Sequence, residues 1–201
     1  MRRDAIKWVQ RLSSSTARGL TLIELLVTVA ITITLLAIAV PQMRELIARK
    51  RVAGVANELA SDIRYARAQV VEQNQPIWIN FGSTSNFTCY VIYTEGGLGD
   101  PCDCTRAAGT VCAAAIIPSI PLKTVYIERS SRVVVSAAAD YLRYLKSVGA
   151  PTTPFGGTAS ASVAGDENSG GGTVNINLNT AVGASLCSAS GQTPEFVTCS
   201  P

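Results

Sequence analysis

Two sets of side chains in this 201-residue sequence are placed to do chemistry: one carboxylate, Glu24, inside an apolar run, and six cysteines, Cys89, Cys102, Cys104, Cys112, Cys187 and Cys199. All the cysteines lie in the C-terminal part of the sequence, and an even number confined to one region points to disulfides formed in an oxidising compartment. Zinc is the weaker competing reading. Cys102-x-Cys104 has a single residue between its thiols where zinc knuckles use about two to four, and no second close pair completes a site. The sequence has no histidine, which excludes Ser-His-Asp and Cys-His catalytic units, His-ligated zinc and an imidazole switch near neutral pH. No catalytic, cofactor-binding or metal-ligating residue is assigned, and an enzyme is not expected.

The element that carries Glu24 is a run from Leu20 to Val40 in which Glu24 is the only ionisable side chain. As a helix this run is long enough to cross a hydrocarbon core of about 30 Å. A secretory signal peptide would have a shorter apolar core and a small-residue cleavage site, whereas here the run continues to Pro41 and into a polar helical pattern. Arg2, Arg3, Lys7, Arg11 and Arg18 precede it with one acid, Asp4, so the N-terminus is expected in the cytoplasm and the remainder outside. Without that basic segment the chain has 12 basic and 13 acidic side chains, net −1, and the overall charge of +3 is no argument for nucleic-acid binding. A carboxylate in the apolar phase costs a few kcal/mol and reads as a functional site, or else as a residue that snorkels to the headgroups; position alone leaves both open.

The surrounding residues, Arg18-Gly19-Leu20-Thr21-Leu22-Ile23-Glu24-Leu25, resemble the class III signal of type IV prepilins and type II secretion pseudopilins. The one departure is Leu20, where that family more often has phenylalanine. The resemblance implies a leader over residues 1–19 that prepilin peptidase removes between Gly19 and Leu20, and methylation of the new amine of Leu20. It implies a membrane and filament-core helix over residues 20–41 that Pro41 kinks near its far end, and a periplasmic domain over residues 42–201. Glu24 would then pair with the amino terminus of a neighbouring subunit. A buried acid is tolerable when paired, and a cation supplied only by a correctly staggered neighbour makes that pair a register device.

Beyond Pro41 the apolar residues Val52, Val55, Leu59, Ile63, Ala66 and Val70 recur at steps of three and four. They predict an amphipathic helix that continues to about Gln73, is stopped by Asn74 and Pro76, and packs against a sheet. Thr28, Thr32 and Thr34 have hydroxyls that can bond back to helix carbonyls or across to a neighbouring helix, and back-bonding is the favoured reading. Strands are expected at residues 77–81, 87–94, 124–129, 132–137, 173–179 and 184–188, with a turn over residues 82–86. The Gly96–Pro101 loop is no phosphate loop, since no Gly-Lys-Ser/Thr follows. Residues 151–172, rich in Gly, Ser, Thr and Ala, are expected as an exposed loop, and Asp166-Glu167-Asn168 within it as solvated side chains in preference to a calcium site. The fold class is α+β: a long N-terminal helix packed on an antiparallel β-sheet and stabilised by disulfides.

The helix end from Ala60 to Asn74, followed by a strand at Ile77, is similar to that of the GspH/FimT family of minor pilins and pseudopilins, and residues 173–187 fall where that family has its last β-hairpin. Some members contact DNA near that hairpin, but here Ser147 to Pro201 has no Lys or Arg and includes Asp166, Glu167 and Glu195, so nucleic acid is disfavoured as a partner. Lys123, Arg129, Arg132, Arg143 and Lys146 are the cations that could restore such a surface by gathering on one face. Cys187 and Cys199 bracket the C-terminal segment in a way that resembles the disulfide-bounded loop closing many pilins. The resemblance implies that these two pair and that Cys89, Cys102, Cys104 and Cys112 form two bridges among themselves. The expected function is a structural minor subunit that primes or caps a type IV pilus or a type II secretion pseudopilus. Its expected partners are other pilins through the N-terminal helix, prepilin peptidase, the inner-membrane assembly platform and the membrane itself. A pilus-associated DNA-uptake receptor or adhesin is the alternative.

Overall fold

The computed structural model describes residues 21–96, 101–112, 118–139, 141–144, 151–152, 159–166, 170–179, 183–189 and 191–199. Gly19 and Leu20, the rest of the leader, Lys146, Glu167 and Asn168 lie outside the described residues. The chain divides into two compact units, Met1–Pro41 and Gln42–Pro201.

The helix α1 spans Leu22–Gln73. It stops where the sequence places its stop: Asn74 has φ of 55°, the left-handed conformation that asparagine tolerates, and Pro76 cannot continue a helix. In the first unit its apolar side chains lie open, with Leu22 77% exposed and Leu35 63% exposed. In the second unit the three-and-four stripe is covered, and Val52, Ala56, Leu59, Ala60, Ile63, Ala66 and Val70 are buried.

Two antiparallel sheets supply the rest of the core, where the sequence suggests one. The first has the order β3-β2-β1-β5-β6, built from β1 (Ile77–Ser83), β2 (Phe87–Thr94), β3 (Ile120–Glu128), β5 (Tyr141–Tyr144) and β6 (Pro151–Thr152). The second has the order β4-β7-β8-β9, built from β4 (Val133–Ala137), β7 (Ser160–Gly165), β8 (Thr173–Asn179) and β9 (Gly183–Ser188). Ile77 and Ile79 of β1, Tyr90 and Ile92 of β2, Val135 of β4, Val163 of β7 and Ile176 of β8 join the buried helix face in one apolar cluster. The sheets are also tied by the Val135 N–H, which donates to the buried Thr88 hydroxyl at 3.2 Å.

Strand β2 is buried over nearly its whole length because both its faces are covered. Tyr90 and Ile92 meet the main cluster, while Cys89, Val91 and Tyr93 meet Cys102, Cys104 and Val111 of the following loop in a second, smaller one. The chain comes close enough for this only because residue 82 is glycine: a Cβ there would stand 2.7 Å from Thr105 Cγ2 and 3.0 Å from Cys104 Sγ.

The exposed loop expected over residues 151–172 is corrected by the structure. That stretch holds β6 and β7, and β7 pairs with β4 on one side and β8 on the other. Ala161 and Val163 point into the core at 2% and 0% exposure, alternating with Ser160, Ser162 and Ala164. Small residues make a weak apolar signal, but a strand with neighbours on both edges satisfies its backbone in full. Strand β5 is likewise absent from the sequence expectation, and β3 begins at Ile120 rather than Thr124. Strand β4 begins at Val133 because Arg132, with φ of 58°, closes a one-turn 3-10 helix at Arg129–Ser131.

Candidate functional site

Glu24 sits in the first turn of α1, exposed. Thr21 starts the helix: its carbonyl accepts from the Leu25 N–H at 3.2 Å, and its hydroxyl accepts from the Glu24 N–H at 3.3 Å. Thr21-x-x-Glu24 thus has the spacing of a capping box, a local signal that the sequence carries in addition to the leader junction. A carboxylate at this position also lies at the positive end of the helix dipole.

The three downstream threonines each bond back along the helix. Thr28 donates to the Leu25 carbonyl at 2.9 Å, Thr32 to the Thr28 carbonyl at 2.7 Å and Thr34 to the Ala30 carbonyl at 2.9 Å. Their hydroxyls are thereby satisfied within the apolar segment. Pro41 lies inside α1 and, having no N–H, leaves the carbonyl four residues back without its helical donor. This helix, with a mean hydropathy of 2.5 over its most apolar stretch, is the one element among the described residues long and apolar enough to cross a membrane.

All six cysteines are joined in pairs: Cys89 to Cys104, Cys102 to Cys112, and Cys187 to Cys199. Cys102 and Cys104 take different partners, so the close pair that suggested zinc does not act as one. In the C-terminal loop the Thr193 hydroxyl donates to the buried Ser188 hydroxyl at 2.7 Å, and backbone bonds run from Ser188 to Val197 and from Cys199 to Ser188. Lys50 of α1 pairs with Glu195 of the same loop.

Polar groups inside the second unit escape a reading of the sequence. Asp62, on the buried helix face, accepts from the Tyr90 hydroxyl at 2.7 Å and from Lys123 Nζ at 2.7 Å. Burial, and then the Asp62 carboxylate beside it, push the Tyr90 phenol well above its ordinary pKa. Burial does the same to Tyr144, with the Arg67 charge opposing it. Three of the five cations that could gather on one face are engaged, Lys123 with Asp62, Arg129 with Thr84 and Ser83, and Arg143 with Glu95 and, at 4.8 Å, with the Trp78 ring, whereas the Arg132 side chain has no ion-pair or hydrogen-bond partner among the described residues. A cation does reach the last hairpin, but from the helix: Arg64 donates to the Ala184 carbonyl at 3.1 Å.

A family model described as type II transport protein GspH matches residues 55–189. Among solved structures, a crystal form of the type IV minor pilin FimU of Pseudomonas aeruginosa (strain PAO1) in space group P21 has 17% identity and a TM-score of 0.47, over 71% of this chain and 92% of that one. The same pilin in space group P65 has 16% identity and a TM-score of 0.44, over 69% of this chain and 94% of that one. No curated protein matches the chain.

Proposed function

The chain belongs to the family of the type II transport protein GspH, and from that premise we propose that it is a minor pilin or pseudopilin, a structural subunit that primes or caps a type IV pilus or type II secretion pseudopilus. The observation that carries the proposal is Glu24. It is a lone carboxylate in the first turn of a helix whose apolar side chains from Leu22 to Val40 are uncovered. An acid in such a segment has a purpose when the segment packs among copies that bring a cation to it.

In this reading prepilin peptidase cuts between Gly19 and Leu20 and methylates Leu20, and the inner-membrane platform receives the mature chain. The anchor stays in the inner membrane, with the cysteine-rich domain in the periplasm, until assembly draws it into a filament among other pilins. The engagement of Lys123, Arg129 and Arg143 within the fold supports this reading over a DNA-uptake receptor. Adhesin function would need neither Glu24 nor the leader junction.

The test is Glu24→Ala in cells with an active prepilin peptidase. Mass spectrometry should show both wild type and variant beginning at Leu20 with one added methyl, while filament preparations should contain the wild type and be depleted of the variant. Normal incorporation of Glu24→Ala would overturn the proposal, as would full-length chains persisting beside an active peptidase.

A further inference from the structure

The residues just beyond Pro41 carry a concentration of cations that the rest of the domain does not share. From Gln42 to Arg51 the chain has Arg44, Arg49, Lys50 and Arg51 against one acid, Glu45, whereas residues 52–201 have 8 basic and 11 acidic side chains, net −3. Two of those four cations are neutralised: Arg49 pairs with Glu45 one turn away, and Lys50 with Glu195 of the C-terminal loop. Arg44 and Arg51 are exposed and have no ion-pair or hydrogen-bond partner among the described residues. Seven residues apart on α1, they share one face of the helix, and helical side chains lean toward the N-terminal end, which here is the Pro41 end. Met43, Leu46 and Ile47 lie among them at 57%, 51% and 44% exposure.

We propose that this stretch is a headgroup-binding belt: Arg44 and Arg51 take the phosphates of anionic phospholipids at the surface where the apolar segment ends, and Met43 and Ile47 enter the interface beside them. The inference rests on reading residues 20–41 as a single membrane span. Arg44 is three residues past Pro41, so at most about 10 Å of chain separates them in any conformation, against a headgroup layer of about 5–7 Å on each side of the hydrocarbon; Arg51 stands about 10 Å farther along α1 and meets the layer from its outer edge, with its side chain leaning back toward Arg44. Guanidinium donors match phosphate oxygens in pairs, which a compact ammonium cannot do as well. The same anionic surface repels residues 52–201 with their net −3, which confines the lipid contact to the belt.

The test reconstitutes the full chain in phosphatidylcholine vesicles containing a minority of phosphatidylglycerol, and measures by electron spin resonance how strongly spin-labelled phosphatidylglycerol is enriched around the protein over spin-labelled phosphatidylcholine. The leader's cations are common to every chain compared, so only the differences between chains count. Arg44→Gln with Arg51→Gln should lower the enrichment by about fivefold per arginine at low salt; lysine at both positions should keep most of it. Unchanged enrichment in the glutamine variant, with its circular dichroism intact, overturns the belt and leaves the membrane span standing. A chain that enters no vesicle and is extracted by alkaline carbonate overturns the span, and the belt with it.

Discussion

At the scale of single residues, Tyr90 and Tyr144 give the domain a pH dependence with a definite sign. Both are 1% exposed and both phenols are held above their ordinary pKa by burial. In the unfolded chain they ionise near pH 10, while the folded state keeps their protons, so above that pH the folded state binds more protons than the unfolded one. Their contribution to stability is therefore fully present below about pH 10 and declines above it by about 1.4 kcal/mol per pH unit for each tyrosine. Denaturant titrations of the full chain in detergent should show the decline, and Tyr144→Phe should halve its slope. Tyr90→Phe should halve it too and also cost about 1–2 kcal/mol at neutral pH, because Asp62 loses a donor. A stability that stays flat through pH 11 would contradict this. The sequence could not disclose the pair, since Asp62 and Tyr90 are 28 residues apart and Asp62 reads as one more polar residue between apolar ones. Thr21 is legible as a helix cap from its spacing to Glu24, a purely local signal of the kind sequence carries well.

Among the elements, α1 can be read almost to its last residue, because a three-and-four apolar stripe and an Asn-x-Pro stop are local and strong. Strands β1, β2 and β8 are legible for the same reason, from alternation and flanking turn residues. Strand β7 is not, because Ser160, Ala161, Ser162 and Ala164 look like linker until β4 and β8 are placed on its two sides. Its end shows how the small residues serve packing. A Cβ on Gly165 would come within 2.8 Å of Gly171 Cα and 3.2 Å of Val52 Cγ2, so the β7–β8 turn can lie against the helix only without side chains there. Gly165→Ala should cost about 1–3 kcal/mol, measured by chemical denaturation, since the obstacle is backbone that cannot swing aside. The C-terminal loop depends on its disulfide instead. Replacing Cys187 and Cys199 by alanine should lower stability by about 2–4 kcal/mol. Hydrogen exchange should then quicken at the Ser188 and Cys199 amides, which now donate to the Val197 and Ser188 carbonyls, while Val163 and Ile176 stay protected.

For the whole molecule, the cations flanking the apolar segment are nearly balanced: five from Arg2 to Arg18 against four from Arg44 to Arg51. In the proposed single-span reading, orientation follows the Lys and Arg bias of the two flanks, so residues 1–19 would hold the N-terminus in the cytoplasm by a narrow margin. Neutralising Arg2, Arg3, Lys7 and Arg11 leaves Arg18 alone against four, and the chain should insert in reverse or fail to insert. Protease protection of the C-terminal domain in spheroplasts, together with loss of cleavage at Gly19, is the measurement; unchanged protection and cleavage would show that something else fixes the orientation.

The three disulfides also bear on how the domain matures. In the proposed topology the domain emerges from its Gln42 end and presents its thiols in sequence order, and oxidation on arrival would join Cys89 to Cys102 and Cys104 to Cys112. The folded molecule instead has the interlaced pattern of Cys89 with Cys104 and Cys102 with Cys112. Reaching it from the first-come pairs requires a thiolate to attack each of them and both bonds to be exchanged, a slow rearrangement on the scale of seconds to hours without catalysis. On that route the slow step is exchange between disulfides and not the oxidation that first closes the bonds.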